Sequence, residues 1–178
     1  MGVNQRELYD AGARLMHDIA TPIATIKMCY EPLKEYVDNL VGFYHSRDNI
    51  GNSCPSKDTV EWFSSVPLMY RDLAQSSRKY ADNFWRNFSD TTYAAQEQLF
   101  VEFTTDISKN WSLLEKYKPS IQSDLDELTA FYKNNAGDVQ PISDQELAKL
   151  ADIMKMCMNA VSRVNEKLSV IREEHDIN

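Results

Sequence analysis

The sequence predicts an all-α protein, an antiparallel four-helix bundle made of two helical hairpins. Three observations predict it. Apolar residues recur at alternating spacings of four and three over long stretches, the stripe of a helix buried on one side. Glycine is scarce, with five in 178 residues, too few for a domain built on tight turns. Clusters of turn and capping residues divide the chain into four long segments.

The first segment carries Leu8, Gly12, Leu15, Ile19, Ile23, Ile26, Tyr30, Leu33, Val37, Leu40 and Tyr44. Pro22 and Pro32 lie inside it, and each removes a backbone donor, so bends are expected but no stop. Ser46 to Ser56, with Asp48, Asn49, Gly51, Asn52, Ser53 and Pro55, reads as a connection, and Ser56 or Asp58 is placed to cap the second helix. That helix shows Val60, Phe63, Pro67, Tyr70, Leu73, Tyr80, Phe84 and Phe88, and ends near Ser89-Asp90-Thr91-Thr92. The third runs through Phe100, Phe103, Ile107, Trp111, Leu114, Ile121, Leu125, Leu128 and Tyr132, interrupted at Pro119 and closed by Asn134-Asn135-Ala136-Gly137. Pro141-Ile142-Ser143-Asp144 leads into a fourth, with Leu147, Leu150, Met154, Met158, Val161, Val164, Leu168 and Ile171.

The length suits one domain, residues 1–178. Its halves, 1–90 and 91–178, also resemble each other. Shifted by 88 positions, Leu15, Ile19, Ile23, Ile26, Leu33, Val37, Leu40 and Tyr44 fall on Phe103, Ile107, Trp111, Leu114, Ile121, Leu125, Leu128 and Tyr132, and the connections align without a gap. Two readings stand: a duplicated hairpin, or two long helices that share a rhythm.

A net charge of −8 argues against nucleic-acid binding, which needs clustered Lys and Arg. No apolar run approaches the ~18 residues of a membrane span, and no signal-peptide layout begins the chain. Cys29, Cys54 and Cys157 form no metal-ligand spacing and no even framework. A cytoplasmic protein is expected, bound neither to nucleic acid nor to membrane.

One stretch offers chemistry: His17-Asp18-Ile19-Ala20-Thr21-Pro22-Ile23. His17 stands two residues from both Leu15 and Ile19, which at ~100° per residue turns it off the buried stripe and toward solvent. Thr21, Ala24 and Met28 come next on nearly the same face, a strip with a polar head and a small apolar body suited to receiving another protein. An exposed imidazole is a competent nucleophile, and Asp18 can fix its tautomer. Thr21 is one turn away, where a hydroxyl can orient water.

The run Leu15-Met16-His17-Asp18-Ile19-Ala20-Thr21-Pro22-Ile23 resembles the phosphoacceptor box of bacterial sensor histidine kinases, H-[ED]-L-[RK]-[TN]-P-[LI], at the start of a dimerising helical hairpin. The resemblance covers the motif and, loosely, the first hairpin. It implies that His17 is phosphorylated, that Asp18 is its acid/base partner and Thr21 the phosphatase-type residue, and that Ala20, Ala24, Thr25 and Met28 face the partner. Ala20 departs from the family's usual basic residue. No Asn box or glycine-rich ATP lid comes after it, so autophosphorylation is not expected.

With four helices of its own, the chain then resembles phosphotransferases that borrow the kinase hairpin. Thr105 stands where the second hairpin would repeat His17. The implied function is exchange of a phosphoryl group between His17 and the aspartate of a response-regulator receiver domain, with a sensor kinase as the other possible partner. The implied molecule is a monomeric pseudo-dimer in preference to a homodimer. No cofactor is expected, Mg²⁺ belonging to the receiver. The alternatives are a non-catalytic adaptor or kinase inhibitor that kept the docking face, and a bundle in which the motif is vestigial. His45 and His175 are given no role, and Met154, Met156, Met158 and Cys157 are read as core filling.

Overall fold

A computed structural model describes residues 5–46, 54–138 and 140–176. Four helices account for most of them: α1 (Gln5–His45), α2 (Lys57–Ser89), α3 (Tyr93–Asn135) and α4 (Asp144–Glu174). The turn residues Asp48, Asn49, Gly51, Asn52 and Ser53 lie outside the described residues.

Local chemistry sets the helix ends. Ser56 caps α2, its hydroxyl accepting from the Thr59 N–H. Ser143 opens α4 with a reciprocal capping box closed by Glu146, which satisfies two orphan donors at once. Gly137, with φ of 62°, stands just past the end of α3, where a side chain would strain the left-handed turn. The four internal prolines do not break their helices. The interruption expected at Pro119 is absent, and α3 is continuous through it. Each proline deletes one backbone bond, while the apolar stripe on both sides keeps the axis packed, and packing supplies most helical stability in proteins.

Every helix packs antiparallel to its sequence neighbours. α1 lies against α2 and α4, α3 closes the other side against the same two, and α1 and α3 face each other across the diagonal. Near one end, α1 and α2 approach so closely that a Cβ on Gly12 would stand 2.7 Å from Phe88 Cε1. At mid-bundle the Trp111 indole N–H donates to Ser77 Oγ at 2.9 Å, while Asn165 donates to the Trp111 carbonyl at 2.8 Å. Among the described residues no helix is long and apolar enough to cross a membrane.

The core follows the predicted stripes with corrections on α1, where Tyr44 is half-buried, and on α2 and α4. Tyr80, expected inside, is 38% exposed, and Leu73 is only half-buried. The buried path of α2 instead runs Ala74, Ser77, Ala81 and Phe84. Small residues there admit Trp111, and Ser77 supplies the partner that a buried indole needs. Met156 is 48% exposed, whereas Met154, Cys157 and Met158 are core. Met156 lies two residues from both Met154 and Met158, about 200° around the helix.

The two hairpins match in burial, but not at one offset throughout. From Leu15/Phe103 to Leu40/Leu128 the aligned pairs are buried in both α1 and α3, 88 positions apart. The second helices coincide at 87: Val60/Leu147, Phe63/Leu150, Tyr70/Cys157, Ala74/Val161, Ser77/Val164, Ala81/Leu168 and Phe84/Ile171 are buried on both sides. The capping serines Ser56 and Ser143 obey the same offset. The connections therefore do not align without a gap, and the second is one residue shorter. Helix phase exposes this, because a one-residue slip turns a helical face by ~100°.

Candidate functional site

α1 presents the motif on its solvent side because the buried residues flanking it, Leu15, Ile19 and Ile23, fix the phase of the helix. The His17 side chain is 88% exposed. Its Nδ1 faces Asp18 Oδ1 at 3.3 Å, and the Asp18 side chain is only 28% exposed. A neutral imidazole that donates from Nδ1 to this carboxylate carries its lone pair on Nε2, directed at solvent. Thr21 and Ala24 are exposed, and Met28 is 76% exposed, so the predicted strip exists as a continuous surface. Ala20 and Thr25 are half-buried at its margins. The Thr25 hydroxyl is turned back on the helix, donating to the Thr21 carbonyl at 3.0 Å. Pro22 is buried, and having no N–H it leaves the Asp18 carbonyl without its usual helical donor.

Tertiary structure adds what the motif lacks. Beside His17, α1 and α2 enclose a groove of about 290 Å³, with Ile19, Ile23 and Ala81 in its floor and Met16 and Trp85 along its walls. His17 and Ala20 form one lip, Arg78 and Asp82 the other. The Arg78 Nε lies 3.4 Å from both Asp82 carboxylate oxygens, and both side chains are more than half exposed. Arg14, one turn before His17, is turned away to pair with Glu174 of α4.

Neither Arg78 nor Asp82 stands out in the sequence. The available signal is their spacing: 78, 82 and 85 fall on one side of α2, next to the buried path Ala74, Ser77, Ala81 and Phe84. Spacing does not say which neighbouring helix that side meets.

Cys29, Cys157 and His175 are committed elsewhere. Burial pushes the Cys157 thiol far above its ordinary range and raises Cys29, its sulfur partner on α1, so both stay protonated and inert at neutral pH. His175 packs its ring edge-on against Phe100, 5.5 Å between centroids. Among the described residues no group of three or more His, Cys, Asp or Glu side chains is arranged to hold a metal ion.

The α3/α4 side offers the internal contrast. Asp106, the counterpart of Asp18, accepts from the Tyr80 hydroxyl at 3.2 Å and has Lys109 at 3.7 Å; burial, with Asp106 alongside, raises the Tyr80 phenol. Thr105 stands at the His17 position. A groove of about 300 Å³ runs between α3 and α4, lined by Ser108, Ser112, Asn165, Ser169 and Arg172 among others.

Compared with known protein families, curated proteins and solved structures, the chain matches none.

Proposed function

We propose that the chain is a histidine phosphotransfer protein, in which His17 exchanges a phosphoryl group with the aspartate of a response-regulator receiver domain. One observation carries the reading. His17 stands on an open helical face with Nδ1 against Asp18 at 3.3 Å and Nε2 directed at solvent.

The chemistry comes from that geometry. The Nε2 lone pair attacks phosphorus in line, the bond between phosphorus and the aspartyl oxygen breaks, and the carboxylate leaves on the receiver. Positive charge that develops on the ring is stabilised by Asp18. The receiver's Mg²⁺ supplies the main charge stabilisation on the phosphoryl oxygens. Thr21 Oγ, one turn beyond, is placed to orient water when the phosphohistidine is hydrolysed. Ala20, Ala24, Thr25 and Met28 offer a low, partly apolar surface on which the receiver rests.

Four helices in one chain make the hairpin of the family resemblance a bundle without a second subunit, so this reading has one reactive histidine per monomer. It implies a cytoplasmic protein, where receiver domains work. A second reading has its own observation: Met28 and the apolar floor of the α1/α2 groove form a docking face whether or not His17 reacts. On that reading the chain is a non-catalytic adaptor that occupies a receiver or kinase.

The test is transfer from phosphorylated receiver domains. Acid-labile label should appear on the parent chain and fall to background in His17→Gln, with the fold unchanged because the side chain is exposed. Equal labelling of parent and variant removes His17 from the chemistry. Receiver binding without any label supports the adaptor.

A further inference from the structure

From the groove beside His17 we infer that Arg78 is a positioning residue for the phosphoryl group: its guanidinium leaves Asp82 and takes the phosphohistidine oxygens. The inference rests on the proposed function for its biological setting, but its geometry and its test stand apart.

The charge problem comes first. Phosphorylation adds close to two negative charges at neutral pH, here to a chain that already carries −8. The His17 ring that would carry the phosphoryl group has the Asp18 carboxyl group against Nδ1 at 3.3 Å and shares the groove with Asp82. Of the cations nearby, Arg14 reaches across to Glu174 of α4 and does not line the groove. Arg78 is the one Lys or Arg among the described residues lining the groove.

The exchange is easy in energetic terms. Arg78 and Asp82 are an exposed i,i+4 pair with both separations at 3.4 Å, an arrangement that contributes little in water. A phosphoryl group offers three oxygens and a higher charge, and a guanidinium binds it through two parallel hydrogen bonds. Asp82 therefore parks the arginine at the lip until the histidine is loaded, and reclaims it when the phosphoryl group departs.

The second hairpin supplies an independent observation. At the offsets that align the buried faces, Asn165 occupies the Arg78 position and Ser169 the Asp82 position, while Thr105 replaces His17. The buried positions are kept apolar, with Ile107 for Ile19 and Leu168 for Ala81. Packing positions persist in both halves, yet histidine, arginine and its aspartate are present or absent together.

The experiment loads His17 chemically. Phosphoramidate needs no receiver: Nε2 attacks phosphorus, the P–N bond breaks and ammonia leaves. The ³¹P resonance of phospho-His17 is the one absent from His17→Gln, and its pH titration and decay are measured in each variant. In Arg78→Ala the label should decay about two- to fivefold faster, the scale of one exposed charge contact, with the second ionisation of the phosphoryl group moved to higher pH. Arg78→Lys should restore part of both, and Asp82→Asn should shift the ionisation the opposite way by freeing the arginine. A parent and Arg78→Ala that match in titration and decay overturn the inference, as does failure of His17 to take up the label. An Arg78 effect without transfer from any receiver overturns the proposed function and leaves this inference standing.

Discussion

The α1/α2 and α3/α4 grooves have one architecture and opposite contents. Both lie between the two helices of a hairpin, at positions related by the offsets that align the buried faces, and their volumes are nearly equal, about 290 and 300 Å³. The first has an apolar floor, an exposed histidine at one lip and an Arg–Asp pair at the other. The second is lined by serine hydroxyls and Asn165, with Arg172 where the first has Trp85. Ser108 and Ser112 donate their hydroxyls to carbonyls of their own helix, which leaves a wet, self-satisfied surface. A shared scaffold thus holds two unlike grooves, and the proposed site lies at the lips of one of them.

The hardest test of that contrast is transplantation. Thr105→His alone should gain no receiver-dependent label, because Asp106 is held by Tyr80 and Lys109 and the opposite lip lacks the arginine. Thr105→His together with Tyr80→Phe and Lys109→Thr, which release Asp106, and with Asn165→Arg, Ser169→Asp and Arg172→Trp should gain a second labelled histidine. If the single substitution labels as well as His17, the groove is irrelevant and the comparison between hairpins collapses.

Next in size is the core. Ile23 and Trp111 are equivalent positions, but the indole is fully buried and donates to Ser77. Trp111→Ala should cost about 3–5 kcal/mol, against about 0.5–1.5 kcal/mol for Ile23→Val. Urea unfolding measures both, and equal costs would make the two hairpins contribute alike at this layer.

The most gradual effect, spread over several pH units, concerns Tyr70 and Cys157, equivalent positions on α2 and α4. Burial raises both groups above their ordinary values of 10.0 and 9.0. A group that keeps its proton longer when folded contributes fully below its unfolded pKa, and that contribution is lost as pH rises toward the folded value. Stability should therefore fall above pH 9, by up to about 1.4 kcal/mol per pH unit for each group. Cys157→Ser should flatten the first part of the decline. A parent stability that stays flat from pH 8 to pH 11 contradicts the assignment.

The exposure of His17 is legible in the sequence because phase is a local property: Leu15 and Ile19 fix the face on which an intervening residue emerges. The Asp18 contact is legible for the same reason, being a neighbour on the same turn. Tyr80 and Met156 mislead, since an aromatic ring or a methionine reads as core wherever it stands near a stripe, while Ser77 reads as a surface hydroxyl. Its burial depends on Trp111, 34 residues away. The likeness of the two hairpins is visible in α1 and α3, where large side chains repeat. The offset of 87 in the second helices is not, because Ser77/Val164 and Tyr70/Cys157 share burial and no chemistry.

Helical period and hydrogen bonds made within a few residues are enough to specify four helices, the caps at Ser56 and Ser143, the buried faces of α1, α3 and α4 and the solvent-facing histidine with its acid. No long-range contact enters any of these. Packing of the bundle settled the rest: which helix lies beside His17, and with it the lip formed by Arg78 and Asp82, the Trp85 wall and the unlike groove on the other side. An amphipathic face requires that a helix pack but does not name its partner, so the residues that meet across a groove are fixed only when the bundle closes.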